Sequence, residues 1–361
     1  MSPKKFNPNC LSLFVGSLPV MDVDTACDLV QAYSPSILSW SQMPGKDKHA
    51  GMVAQFAPGL PGLKADQNGM HVDRADSQYE DAMLEFYESY LALNEGVDGQ
   101  DMSRFALAPH NAPGFYHFLE WMHKLDQPPL AVKGQITGPF TMGTGIKDAD
   151  GRAIFHDDVI RDMLIKLLVL KARWQVDQLA RTGVAVILSI DEPALAGFGS
   201  SEFISISRDD VVAALSELVD AIQDAGALAG VHVCANTDWS MLMTAGVDLI
   251  SFDAYNYFDR VALYQNELKY FINAGKWLAW GIVPSLDEIR IEAESTPSVV
   301  EKFKQKIAHL DTLGIDRAIV LGQSLITPSC GLGTLSIACA RRVMQMTKAV
   351  SDNIRKEESY A

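Results

Sequence analysis

Short apolar, β-branched runs alternate with longer amphipathic stretches along almost the whole chain. Runs at 13–18, 37–41, 131–136, 184–190, 229–233, 248–252, 277–282 and 317–321 read as strands, eight in all. The stretches between them follow helical spacing. In 157–181 the apolar positions include Leu164, Leu167, Leu168, Leu170 and Val176. Ser207-Arg208-Asp209-Asp210 ahead of Val211 predicts a helix start, because a serine oxygen can accept from the free N–H groups and acids suit the positive helix end. Strands that are apolar almost continuously must be covered on both faces. Eight strand–helix units of that kind predict an α/β fold, a closed (β/α)8 TIM barrel, with a doubly wound open sheet as the alternative. The segment 43–129 is too long for a simple strand–helix unit. It contains helical stretches at 79–94 and 113–125 and the Gly/Pro-rich Pro58-Gly59-Leu60-Pro61-Gly62, and it reads as an insertion after the second strand that could cap the barrel mouth. No repeat, low-complexity tract or linker divides the chain, so 1–361 reads as a single domain.

Composition narrows the class. The chain has 361 residues, 48% of them hydrophobic, enough for one large core. Forty-five acidic against 30 basic side chains give a formal charge of −15, which disfavours nucleic acid or an anionic membrane as partner. The stretch 11–21 is broken by Ser12, Gly16, Ser17 and Pro19 and does not read as a signal sequence. No window approaches the ~18 uninterrupted apolar residues of a membrane span. The five cysteines, Cys10, Cys27, Cys234, Cys330 and Cys339, are an odd count in a large chain. They point to a reducing, cytoplasmic setting instead of a disulfide framework.

In a barrel, chemistry collects where strands end and the following loops begin. Polar residues of this chain fall there: Gly16-Ser17 after the first strand, Asp191-Glu192-Pro193 after the fourth, His232-Val233-Cys234 on the fifth, Asp253 after the sixth, and Thr327-Pro328-Ser329-Cys330-Gly331 after the eighth. His232 and Cys234 are two apart on a strand and share a face. Both are zinc-ligand types, and barrel closure can bring Cys330 and Asp253 to the same mouth. A His-x-Cys pair alone also fits a core histidine beside a small buried thiol. Cys27 and Cys339 lie in apolar helical stretches and read as core, and Cys10 precedes the first strand without a partner.

The strings Val15-Gly16-Ser17-Leu18-Pro19, Ile190-Asp191-Glu192-Pro193-Ala194-Leu195, His232-Val233-Cys234 and Pro328-Ser329-Cys330-Gly331-Leu332 resemble, in the same order, the catalytic barrel of cobalamin-independent methionine synthase. That family lies within the uroporphyrinogen decarboxylase/methionine synthase-like superfamily. His232-Val233-Cys234-Ala235-Asn236-Thr237 also looks like its corrinoid–coenzyme M methyltransferases. The resemblance implies a zinc-dependent methyltransferase, with His232, Cys234 and Cys330 as metal ligands at the catalytic centre. Asp253 stands where the family has a ligating glutamate. Homocysteine would be held through its carboxylate at Gly16 and Ser17 and through its amino group at Asp191, with Glu192 beside it. The chain departs from the family in two ways. The family's histidine after the seventh strand has no counterpart in Gly281-Ile282-Val283-Pro284-Ser285, and there is no room for the second barrel that helps position a folate.

Zinc deprotonates a coordinated thiol, which would supply the methyl acceptor without a protein base. Without a folate-binding half, the reading favours a methylcorrinoid donor (methylcobalamin chemistry) on a separate corrinoid carrier protein, with methyltetrahydrofolate second. Rival readings are a methylcorrinoid–coenzyme M methyltransferase, a porphyrinogen decarboxylase-like enzyme and a non-catalytic zinc barrel. Asp191 argues against coenzyme M, which has no amino group to hold. The absence of any arginine before Arg74 argues against a porphyrinogen decarboxylase.

Overall fold

In the computed structural model, which describes residues 6–45, 51–66, 69–96 and 101–359, most of the apolar runs become parallel strands. In chain order the strands are β1 (Leu11–Ser12), β2 (Ile37–Ser39), β3 (Leu63–Asp66), β4 (Gly69–Val72), β5 (Ala131–Thr137), β6 (Lys147–Asp148), β7 (Ala185–Asp191), β8 (Leu228–Val233), β9 (Leu249–Phe252), β10 (Trp277–Val283) and β11 (Ser324–Pro328). Eight of them form one sheet in the order β1-β11-β10-β9-β8-β7-β5-β2, paired in parallel throughout. Its two edges meet just beyond the strand ends, where Leu18 N donates to Gln42 O at 2.9 Å and Gln42 N to Gly16 O at 3.0 Å. The result is a (β/α)8 barrel. β3, β4 and β6 form a separate small sheet. The long segment after β2 supplies β3 and β4 together with helices Met52–Phe56, Tyr79–Asn94 and Pro113–Met122. Among the described residues no helix is long and apolar enough to cross a membrane.

Helix starts follow their caps. Asp157 accepts from Val159 N and Ile160 N to open helix Asp158–Ala180, and Ser207 accepts from Asp210 N to open helix Arg208–Asp224. The reading of 317–321 as the last strand is corrected. Asp316 accepts from Ile319 N at 3.0 Å, and Arg317–Gly322 is a short helix. The last strand is β11, which pairs with β1 and β10.

Strand alternation sorts the core into two parts. One set of alternate residues, including Ile37, Ala131, Ile187, Leu249, Ala279 and Leu325, forms a buried cluster drawn from all eight barrel strands. That cluster is the floor of the barrel interior. The intervening residues, Val132, Leu188, Val231, Ile250 and Trp280 among them, join the larger core under the helices. Continuing along the inward set, the residues turn polar while staying buried: Ser39, Lys133, Gln135, Ser189, Ser251 and Thr327.

One polar bridge ties this interior to the outer layer. Gln175, in helix Asp158–Ala180, is fully buried; it accepts from Trp40 Nε1 at 2.9 Å and donates to Gln135 O at 3.1 Å. Gly134 makes room, since a Cβ there would lie 2.3 Å from Gln175 Oε1. Replacing Gln175 with leucine keeps the bulk and strands the Trp40 indole N–H. The expected loss is about 1–3 kcal/mol, the cost of a buried donor without a partner. Urea unfolding should show a lower midpoint with an unchanged slope. A midpoint equal to that of the parent would mean that the bridge contributes no net stability.

Candidate metal centre

β8 carries His232 on its inward face, and Cys234 follows it by two residues. Cys330 comes just after β11, two strands beyond β9 in the sheet. Barrel curvature brings the three together: one ligand atom from each lies within 4.8 Å of the others. This is the one such group of His, Cys, Asp or Glu found among the described residues. His232 is buried, the two cysteines are half-buried, and no cysteine is in a disulfide.

The histidine ring is oriented by its strand neighbour. His232 and Ser251 are register partners on β8 and β9, and Nδ1 lies 2.9 Å from Ser251 Oγ. Nε2 is buried and has no partner. In the tautomer that donates its Nδ1 hydrogen to Ser251, Nε2 keeps a bare lone pair in the residue that groups with the two sulfurs. A buried polar atom left so costs about 1–3 kcal/mol, and a cation at this point relieves it. Imidazole and thiolate are the ligand types that zinc selects, and a zinc-bound histidine ordinarily has a partner on its other ring nitrogen, as His232 has in Ser251. The donor set therefore fits zinc. The thiols are also poised. The hydrogen bond from Cys330, and then His232, hold the Cys234 thiol below the ordinary range against the opposing effect of burial, while Cys330 is raised. Cys10 and Cys27 differ: burial pushes both up to about 12, which suits inert core thiols.

The other sequence-predicted residues divide. Gly16 and Ser17 stand against the Cys330 loop: Gly333 N donates to Ser17 Oγ at 3.2 Å and Leu332 N to Ser17 O at 2.9 Å. Gly16 adopts φ 149°, and a Cβ there would sit 2.9 Å from Gln135 Oε1, so glycine is required. Asp191 ends β7 as the register partner of His232, is buried, and accepts from Ser189 Oγ at 3.1 Å. Burial raises its carboxyl, and Lys133 is the main influence pulling it back. Lys133 was not singled out from sequence. It is buried and donates to Val15 O at 2.5 Å, and burial lowers its ammonium to about 8. Its signal was a lysine at the inward position of an apolar strand, next in register after Ala131.

Asp253 does not join the three-residue group. It is fully buried and caps helix Ala254–Val261, its Oδ1 accepting from Asn256 N at 2.9 Å and its Oδ2 from Asn256 Nδ2 at 2.7 Å. Both oxygens are committed to the cap. Glu192 is likewise withdrawn from the mouth. It accepts from Phe140 N at 2.9 Å, Thr141 N at 2.8 Å and Thr141 Oγ1 at 2.6 Å, beneath the start of helix Pro139–Gly145.

Comparison with known proteins bears on this geometry. The family model described as cobalamin-independent synthase, catalytic domain, matches residues 120–353. That span holds Asp191, His232, Cys234, Asp253 and Cys330; Gly16 and Ser17 precede it. The 5-methyltetrahydropteroyltriglutamate–homocysteine methyltransferase of Proteus mirabilis (strain HI4320) is 29% identical over 156 residues, which is 38% of this chain and 18% of that protein. The chain thus spans under a fifth of the length of the curated relative it matches. The family is cobalamin-independent, and this overturns the expected methylcorrinoid donor and, with it, the corrinoid carrier protein.

Glu192 makes the scaffold of the site sensitive to pH. Burial raises its carboxyl from the ordinary 4.5 to about 7, despite the three hydrogen bonds that oppose this. The folded chain therefore binds this proton more tightly than the unfolded chain does. The contribution is fully present below pH 4.5 and is lost as the pH rises to about 7. Its full size is about 3 kcal/mol, from the shift alone. Thermal or urea unfolding of Glu192→Gln should show a flatter pH dependence between those limits. A variant with the parent's slope would show that another group carries the titration.

Proposed function

This chain belongs to the catalytic-domain family of cobalamin-independent synthase, and on that premise we propose that it transfers a methyl group to the sulfur of homocysteine at a zinc site formed by His232, Cys234 and Cys330. The observation that carries the reading is a buried His232 with an unpartnered Nε2, grouped with two free thiols whose ligand atoms and its own all lie within 4.8 Å of one another. Zn2+ held there favours the deprotonated form of the acceptor thiol, so that a nucleophile is available at neutral pH. The donor we assign is a 5-methyltetrahydropteroylglutamate, the kind of compound for which the Proteus relative is named.

The chain's own residues then mainly position the two reactants. Asp191 holds the ammonium of the amino acid, since a buried carboxylate pairs well with a charged amine. The Gly16-Ser17 turn receives the carboxylate. The acceptor sulfur displaces the pterin nitrogen from the methyl carbon: the S–C bond forms as the N–C bond breaks, and the nitrogen leaves with the electron pair and takes up a proton. Ser251 keeps His232 turned toward the cysteines throughout. Asp253, tied to Asn256, serves the helix behind the site.

Two measurements test this. Purified protein should hold about one zinc per chain, and the double variant Cys234→Ser, Cys330→Ser should hold almost none; full occupancy in that variant would sink the assignment. With 5-methyltetrahydropteroyltriglutamate as donor, the chain should convert homocysteine to methionine. Transfer from methylcobalamin with none from the pterin would overturn the donor. In the same assay Asp191→Asn should weaken homocysteine use by about 1.5–3 kcal/mol, the scale of a charge-assisted hydrogen bond. A thiol without an amino group should be used almost as before, and equal losses for both thiols would make Asp191 structural.

A further inference from the structure

The loop after β10 is where this chain departs from the family pattern, and it holds a buried hydroxyl pair, Ser285 and Ser329, each about 1% exposed. Four hydrogen bonds converge there. Cys330 N donates to Ser285 Oγ at 2.8 Å, Ser285 Oγ donates to Cys330 O at 3.1 Å, Ser285 N donates to Ser329 Oγ at 3.0 Å, and the two hydroxyl oxygens are 3.0 Å apart. Each hydroxyl has a single hydrogen. With the hydrogen of Ser285 on Cys330 O, that of Ser329 must point to Ser285 Oγ, and the set closes with every donor used. One side chain on the β10 loop thereby grips both backbone polar groups of Cys330.

The backbone around this grip is equally constrained. Ser329 N donates to Val283 O at 2.8 Å, and the register of β10 against β11 shifts between Gly281 and Val283. That irregularity turns the β10 loop toward Cys330. A Cβ on Gly281 would meet Phe252 O at 2.5 Å and Ser329 Cα at 2.8 Å, so the close approach exists because residue 281 is glycine.

We propose that Ser285 and Ser329 are positioning residues for the metal: they form a latch that presets Cys330 opposite His232 and Cys234, so that metal affinity depends on hydroxyls that do not touch the metal. The proposal rests on the zinc reading above. It gives the β10 loop of this chain a role in building the site.

The test is zinc affinity, measured by competition with a chromophoric chelator, together with the absorption spectrum of the Co2+-substituted protein. Ser285→Ala should bind zinc roughly 10- to 100-fold more weakly, the usual effect of losing an outer hydrogen bond to a ligand. Its thiolate-to-cobalt charge-transfer band should also weaken. In a Cys330→Ser background the same change should cost no further affinity. An unchanged affinity in Ser285→Ala overturns the latch and leaves the zinc site standing. An equal loss in both backgrounds also overturns it, because the serine would then act on the fold in general. Failure of the parent protein to bind zinc overturns the site and the latch together. Should Ser285→Ala not fold, Ser329→Ala carries the test: it removes two of the four contacts, and a several-fold loss is expected where no loss would refute the latch.

Discussion

The site depends on where the inward-facing residues of the strands change from apolar to polar. Parallel strands buried on both faces have a period of two, and a slip of one residue exchanges the inner and outer sets. Here the inner set begins with residues such as Ala131, Ile187 and Leu249 and continues with Lys133, Ser189 and Ser251. The floor excludes water from below. Above it each polar group must find a partner or cost about 1–3 kcal/mol. Most do: Lys133 has Val15 O, Gln135 has Trp40 O, Asp191 has Ser189, and His232 Nδ1 has Ser251. Ser39 Oγ, Thr327 Oγ1 and His232 Nε2 are left over, and of these His232 belongs to the group that includes two free thiols.

Closure of the barrel then decides which parts of the chain share the mouth. Ser17 and Gly333 are 316 positions apart in sequence and in hydrogen-bond contact. The contact needs small residues on the late loop, since a Cβ on Gly331 would fall 2.2 Å from Ser17 Oγ. The Gly16-Ser17 turn and the loop carrying Cys330 are thus one packed unit, so the roles proposed for them, holding the substrate carboxylate and building the metal site, would be coupled by contact. The latch from Ser285 adds the β10 loop to the same unit.

Much of this could be read from the chain itself, because period and caps are local properties. Ser207 and the helix Tyr79–Asn94 were legible from the pattern alone. The stretch Ala318-Ile319-Val320-Leu321 was not, since four apolar residues suit a strand or a short helix equally. The Asp316 cap settles it as helix, and the strand begins just afterwards. In the site, residue types at strand ends pointed to His232, Cys234 and Cys330. The fates of the carboxylates were harder to read. Glu192 is engaged by N–H groups some fifty residues earlier, and no local pattern shows that; Asp253 caps the helix that follows it, a local role that competes with ligation. Ser285 and Lys133 matter through neighbours from other strands, so single-residue signals could not expose them.

Charge balance gives an independent reason for a cation at this place. Asp191, Glu192 and Asp253 are all buried, and burial is the largest influence raising each of them. Cys234 is pulled the other way, below the ordinary thiol range, by Cys330 and then His232. Lys133, buried beside Asp191, is itself pulled down to about 8. A low-dielectric interior disfavours charge, and the three carboxyls and Lys133 answer by resisting ionisation. A divalent cation held by His232, Cys234 and Cys330 would reverse this, favouring both thiolates and easing ionisation of Asp191 and Asp253. The carboxylate proposed to hold a substrate ammonium would therefore be favoured by the same ion that would activate the substrate sulfur, and a barrel without it would be poorer at both tasks.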